Sequence, residues 1–263
     1  MNAAMTAESK SKKIAWVTGA SQGIGAAVAL RLAESGWIVA GSARSEDQLA
    51  ELVAKSEAMT GTIHAFPLDV TDEGAARAVF AEIGARLGPV DLVILNAGTH
   101  QPIDGTRFAV DPVRKLVEVN LMGTVHCLAP VIEDFVARET GRIAVVASVA
   151  GYRGLPTASG YGATKAGLIN MCEALRPELR EKGVILSCIT PGFVKTPLTD
   201  KNPFSMPFLI TPETAARRIV EGLQSDRFEI TFPRRFTYIL KLLRMLPYAA
   251  YFAISRRMIP KDG

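Results

Sequence analysis

Thr18-Gly19-Ala20-Ser21-Gln22-Gly23-Ile24-Gly25 joins a short apolar run, IAWV at 14–17, to an Ala/Leu-rich stretch, AAVALRLAESG at 26–36. The run suits a buried strand and the stretch a helix, so the glycines fall in the turn between them. A tight strand-to-helix turn needs glycine whether or not anything binds there. Such a turn also lets the backbone approach a pyrophosphate, with the N–H groups of the helix start facing the anion. Gly19, Gly23 and Gly25 follow GxxxGxG spacing, not GxGxxG, and by themselves leave both readings open.

Outward from this turn, further apolar runs recur at 37–43, 63–68, 90–95, 142–148, 184–190 and 228–232. β-branched runs without polar alternation suit strands covered on both faces, and the longer stretches between them suit helical crossovers. Asp111-Pro112 and Thr211-Pro212 each read as a helix start, a capping side chain followed by proline. The expected fold is α/β: a doubly wound, parallel, seven-stranded sheet of the Rossmann type in one domain at 13–233. A polar N-terminal arm at 1–12 precedes it, and a basic helical extension at 234–263 follows. A length of 263 residues with 21% charged side chains fits one large domain and excludes a disordered chain.

Cys127, Cys172 and Cys188 lie far apart in apolar contexts, without CxxC or Cys/His ligand spacing. They read as buried reduced thiols, and neither a disulfide framework nor a metal site is expected. His64, His100 and His126 read as ordinary core or surface histidines. The polar start of the chain does not have the pattern of a secretory signal, so a cytoplasmic protein is expected.

Downstream of the glycine turn stand Asn96-Ala97-Gly98 after the fourth apolar run, Asn120 in VNLMG, and Ser148 at the end of the fifth run. Tyr161 and Lys165 follow in YxxxK spacing, then Pro191-Gly192 with Thr196 in PGxxxT. With TGASQGIG, this ordered set resembles the short-chain dehydrogenase/reductase family over about residues 13 to 225. The resemblance implies catalytic roles for Asn120, Ser148, Tyr161 and Lys165, Lys165 also binding the nicotinamide ribose and Asn120 helping a water join a proton relay. For the cofactor it implies contacts from Gly19, Ser21, Gly23, Ile24, Gly25, Arg44, Asp69, Val70, Asn96, Gly98, Tyr161, Lys165, Pro191, Gly192, Val194 and Thr196. Asp69, in LDV, resembles the family's adenine-contacting aspartate. The family's extended sugar epimerases share YxxxK, but this chain is short for them and its glycine spacing differs.

Tyr161 and Lys165 are four residues apart, hence neighbours on one helix face. A free phenol has a pKa near ~10, and a nearby ammonium lowers it by roughly 1–3 units, which makes Tyr161 a general acid or base. Ser148 is placed to hydrogen-bond a substrate oxygen. The second strand ends Ser42-Ala43-Arg44-Ser45. It lacks the acidic residue that accepts from ribose hydroxyls in NAD enzymes, while Arg44 offers a guanidinium to a 2′-phosphate, with hydroxyls from Ser42 and Ser45 beside it. NADP(H) is therefore expected over NAD(H), and Glu46 and Asp47 are explained by a helix start. The expected activity is hydride transfer between nicotinamide and an alcohol/carbonyl pair; the alternative is a catalytically idle NADP(H)-binding sensor or scaffold.

Between Thr196 and Thr211, Phe204, Met206, Phe208 and Leu209 with Pro203 and Pro207 suggest an apolar cover, hence a hydrophobic substrate. The long helices expected at about 112–138 and 161–181 carry apolar residues beyond one core stripe, Leu168, Met171, Leu175 and Leu179 among them, which points to a homodimer or homotetramer. Between residues 230 and 260 stand six cations and no acidic residue. Phe236, Ile239, Leu240, Leu243 and Leu246 recur at helical spacing, with Lys241 and Arg244 largely opposite. This extension reads as an interfacial or cleft-gating helix pair broken at Pro247, with peripheral contact to the inner face of a membrane as one outcome. The basic excess is confined to this tail and no recognition motif accompanies it, so no nucleic-acid partner is expected.

Overall fold

The computed structural model describes residues 12–201 and 206–259. The expected N-terminal arm, apart from Lys12, lies outside the described residues, as do Pro203, Phe204 and the last four residues. Seven strands form one parallel sheet: β1 (Ile14–Thr18), β2 (Ile38–Ser42), β3 (Thr62–Ala65), β4 (Leu92–Leu95), β5 (Gly141–Val146), β6 (Val184–Pro191) and β7 (Glu229–Phe232), in the order β3-β2-β1-β4-β5-β6-β7. The strand order reverses between β1 and β4, the switch point at which such sheets open a crevice beyond their carboxyl ends.

All five residues of β1 are buried, and they divide between two cores because successive side chains point to opposite faces. Ile14 and Trp16 join one core with α3 (Glu73–Leu87), α5 (Gly123–Ala137) and α6 (Ser159–Arg180). Ala15 and Val17 join the other, with α1 (Gly23–Glu34), α2 (Glu46–Lys55) and α7 (Pro212–Gly222). This is why the central strand runs are near-continuously apolar. Trp16 is fully buried and donates its indole N–H to Ser42 Oγ at 2.9 Å. Truncating so large a buried side chain costs about 3–5 kcal/mol.

Thr211 caps α7 as its sequence implies, its hydroxyl accepting from Thr214 N. The other expected start is corrected. The helix α4 (Val110–Leu116) begins two residues before Pro112, and Asp111 pairs with Arg114 at 3.1 Å instead of capping. Proline is tolerated here because first-turn N–H groups have no partner inside the helix. From α4 the chain continues through a π-helical stretch, Val117–Met122, into α5. This helical run, Val110–Ala137, is long and apolar enough to cross a membrane by length and composition alone, but its apolar residues include several that pack in the first core.

The apolar residues of α6 expected to face another subunit serve this chain instead. Leu168 and Leu179 are buried in the chain's own core, and Met171 and Leu175 pack against it. The extension folds as α8 (Arg234–Met245) and α9 (Tyr248–Ser255). Its inward face differs from the one expected. Phe236, Thr237, Leu240 and Leu243 turn toward the protein and Ile239 turns outward. Lys241 is drawn in by Glu229 of β7, with which it forms an ion pair.

Candidate active site

The site lies where β1, β4, β5 and β6 end. Gly19 (φ +65°) and Gly23 (φ +59°) take the left-handed conformation that the turn out of β1 requires. A Cβ at Gly25 would stand 2.2 Å from Gly19 O, so the helix start is drawn hard against the loop. Asn96, after β4, locks the loop from the other side: its Nδ2 donates to Thr18 O at 3.1 Å and to Gly19 O at 3.2 Å, while its own N–H donates to Thr18 Oγ1 at 3.0 Å. Thr196 closes down on Gly23, whose Cβ would meet the threonine methyl at 3.1 Å. The helix α1 starts with no acidic residue in its first turn and no side-chain cap from Gln22. A loop without Cβ atoms and a helix start with open N–H groups fit a dinucleotide pyrophosphate.

Beyond the loop lies a small cleft of about 100 Å³. Ile24, Asn96, Gly98, Ser148, Tyr161, Lys165, Pro191, Gly192, Val194 and Thr196 all line it. Ser148 ends the β5 segment and accepts from Ala150 N at 3.1 Å, capping a short 3₁₀ turn, Val149–Gly151. That turn packs on α6, which presents Tyr161 and Lys165 one helical turn apart: a Cβ at Gly151 would lie 2.7 Å from the Lys165 backbone carbon. Lys165 Nζ reaches back to β5 and donates to Val146 O at 2.8 Å. Asn120 is fully buried in the π-helical stretch, where its Oδ1 accepts from Thr99 N at 2.7 Å and its Nδ2 donates to Thr99 O and Thr164 Oγ1. Asn120 thus holds the loop after Gly98 against α6.

The electrostatics differ from the sequence expectation. Burial raises the Tyr161 pKa, opposed by the hydrogen bond with Ser148. Burial also pushes the Lys165 amine down to about 8. The net direction for the phenol is upward because burial outweighs the opposing influences, with Lys165 Nζ 5.7 Å from the centre of its ring. Burial pushes the Cys127 thiol up to about 12, whereas the buried Cys188 thiol is pushed up first by a hydrogen bond with Cys172 and then by burial.

Around the second strand, Ala43 is buried and Arg44 projects outward, its side chain 75% exposed and 4.0 Å from Asp69. Asp69 is held below the usual carboxylate range chiefly by the N–H of Thr71. Val70 is buried and its carbonyl lies 3.0 Å from His126 Nδ1. The expected Ser42 contact is corrected: this hydroxyl is buried and accepts from Trp16. Glu46 and Asp47 occupy the first turn of α2. Ser21 lies in the turn ahead of α1.

Sequence reasoning missed His100. Its ring stands edge-on to Tyr161 with centroids 4.7 Å apart, and its place two residues after Gly98 was the available signal. It also missed Thr199, whose hydroxyl accepts from Thr196 N at 2.9 Å and props the loop above the cleft. A much larger open groove, about 990 Å³ between α7, β7 and α8, contains none of this constellation. Among the described residues no group of three His, Cys, Asp or Glu is placed to hold a metal.

A doubly wound sheet with a glycine cradle at its switch point defines a dinucleotide-binding α/β protein. The chain belongs to the short-chain dehydrogenase family, whose model matches residues 13–204, and is an oxidoreductase of that family. It is 36% identical to an uncharacterised oxidoreductase of Myxococcus xanthus over 94% of this chain and 98% of that one. It is 37% identical to the 2-dehydro-3-deoxy-L-rhamnonate dehydrogenase (NAD(+)) of a Sphingomonas species, over 73% of this chain and 76% of the relative. Among solved structures, the alcohol dehydrogenase of the archaeon Thermococcus sibiricus, complexed with 5-hydroxy-NADP, superposes with a TM-score of 0.77 at 25% identity. The superposition covers 84% of this chain and 96% of that one.

Proposed function

We propose that this chain is an NADP(H)-dependent carbonyl reductase or alcohol dehydrogenase acting on an apolar substrate. The observation that carries the reading is the gathering of Ser148, Tyr161 and Lys165 along one cleft beside the open start of α1. Reducing a carbonyl places a hydride on carbon and a proton on oxygen. The nicotinamide supplies the hydride when bound. Tyr161 Oη delivers the proton, and Ser148 Oγ holds the substrate oxygen within its reach. Lys165, its amine brought down to about 8 by burial, would hold the ribose of the bound cofactor and stands one helical turn from the phenol whose proton is spent. In the reverse direction Tyr161 is the base.

The backbone N–H groups of α1 and the loop over Gly19 to Gly25 hold the pyrophosphate. Arg44 meets the 2′-phosphate, supported by its exposure and by the neutral Ala43 before it. The Sphingomonas relative is named for NAD(+) and the Thermococcus structure holds an NADP derivative, so cofactor choice is a property of individual members that Arg44 decides here. The apolar cover is assigned to Met206, Phe208 and Leu209, which follow the loop that carries Thr196 and Thr199; Phe208 and Leu209 are exposed, and Phe208 lines the large groove beside α8. Fluorescence titration is expected to show tighter binding of NADPH than of NADH, and a panel of ketones and aldehydes to show NADPH oxidation. Equal or tighter NADH binding would overturn the cofactor assignment; no turnover on any carbonyl would favour an idle sensor.

A further inference from the structure

The extension is held to the body of the protein by its inner face, which leaves an apolar outer face uncovered among the described residues. Lys241 pairs with Glu229. Arg153, just after the 3₁₀ turn behind Ser148, donates to the carbonyls of Leu243, Arg244 and Leu246 at 2.7 to 2.8 Å and so closes the carboxyl end of α8. The same guanidinium lies 4.0 Å over the ring of Tyr251, whose hydroxyl donates to Gly154 O. These ties fix which side of each helix faces solvent.

What faces solvent is apolar. On α8, Tyr238, Ile239, Leu242 and Met245 follow one another at helical spacing, Leu242 being 64% and Met245 81% exposed. On α9, Tyr248, 72% exposed, stacks on Phe252 with ring centroids 5.7 Å apart. Monomeric soluble proteins seldom show so many large apolar side chains together unless something covers them. Along α8 and α9 the charge is of one sign, although Glu221 of α7 and Glu229 of β7 share a groove with Tyr238 and Arg235. Arg234, Arg235, Arg244, Arg256 and Arg257 are exposed, and no acidic residue occurs between 230 and 260. Arg235 lies three and four residues before Tyr238 and Ile239, within the apolar stripe itself.

We infer that the outer face of α8 and α9 is a docking surface for an anionic membrane. The occupant follows from charge. A second copy meeting this face symmetrically would set arginines against arginines, whereas an anionic lipid surface complements them. A spanning role does not fit. The 12 residues of α8 extend about 18 Å, short of a hydrocarbon core of about 30 Å, and the inner face is already packed on protein. The helices lie flat, with Leu242, Met245, Tyr248 and Phe252 entering the acyl boundary and the arginines at headgroup level. The surface adjoins the open groove between α7, β7 and α8, since Phe208 and Tyr238 both line it and Phe208 lies against Phe236 with ring centroids 6.0 Å apart. This inference is independent of the reaction assigned above.

Co-sedimentation of the full chain with vesicles tests it. Pelleting is expected with mixed phosphatidylglycerol and phosphatidylcholine vesicles, not with phosphatidylcholine alone, and it weakens as salt rises. Replacing Leu242→Glu together with Met245→Glu, both exposed and outside the cleft, is expected to lower partitioning about tenfold or more while the melting temperature and NADPH affinity stay unchanged. Absence of pelleting on the anionic vesicles, or equal pelleting of the double variant, would overturn the inference. So would a fall of the wild-type oligomer to the single-chain mass in the double variant, which would assign this face to a second copy.

Discussion

Tyr161 and Lys165 are both moved by burial away from carrying charge, the phenol upward and the amine downward. The phenol therefore holds a proton at neutral pH, which suits the reductive direction. Tyr161→Phe keeps the ring against His100 but removes the transferable proton. Steady-state kinetics with NADPH and a ketone are expected to show kcat reduced by about 10²–10⁴ with cofactor affinity retained; wild-type turnover would refute the assignment. The amine has a separate consequence for stability. Its folded pKa of about 8 lies below its ordinary 10.5. Between those values the unfolded chain binds the proton more readily, so this group makes stability rise with pH across that window and contributes nothing further above it. Denaturant titrations of wild type and Lys165→Met should differ by an amount that grows in the wild type's favour from pH 8 to 10.5. A difference independent of pH would show that the amine is not buried as described.

At the level of elements, the loop between β5 and α6 carries Ser148 and also anchors the extension. Tyr152, in that loop, donates to Glu229 and shares a hydrogen bond with the Thr190 hydroxyl in a partly buried polar group with β6 and β7, at the place where Lys241 arrives. Arg153 then takes three carbonyls that the end of α8 would otherwise leave unsatisfied. Arg153→Ala should lower unfolding stability by about 1–3 kcal/mol, the usual cost of charge-assisted hydrogen bonds to partly buried groups. Proteolysis should then cut first near Pro247. Unchanged urea stability and an unchanged cleavage pattern would mean that α8 is held by its apolar contacts alone.

For the whole molecule, the homo-oligomer proposed from the sequence loses its first support, because Leu168 and Leu179 serve the chain's own core. It now rests on likeness to the family and on Phe108 and Val110, both exposed at the start of the long helical run. Static light scattering at micromolar concentration is expected to give two or four times the chain mass of 28.2 kDa. A single-chain mass would refute the oligomer while leaving the membrane surface intact.

The sequence by itself determined the sheet and the location of the site. The central strands write themselves as near-continuous apolar runs because a strand covered on both faces needs apolar side chains at nearly every position, while the edge strands β3 and β7 keep polar residues such as Thr62 and Glu229. The glycines of 19–25 are legible because only a residue without Cβ fits a left-handed turn pressed against a helix start, and the Tyr161–Lys165 pair because four residues bring side chains to one helix face. What only the tertiary structure decided are the relations between distant segments. Ser42 turns to Trp16, not to a cofactor, because β1 and β2 pair in a register that sets residue 18 beside 42. Helical spacing pointed to a face of α8 that included Ile239 and set Lys241 opposite, whereas Ile239 turns outward and Lys241 turns in to pair with Glu229 on β7. His100 meets Tyr161 only when the ends of β4 and α6 come together. Periodicity is a local property, whereas the partner that a side chain finds depends on which strand lies next in the sheet.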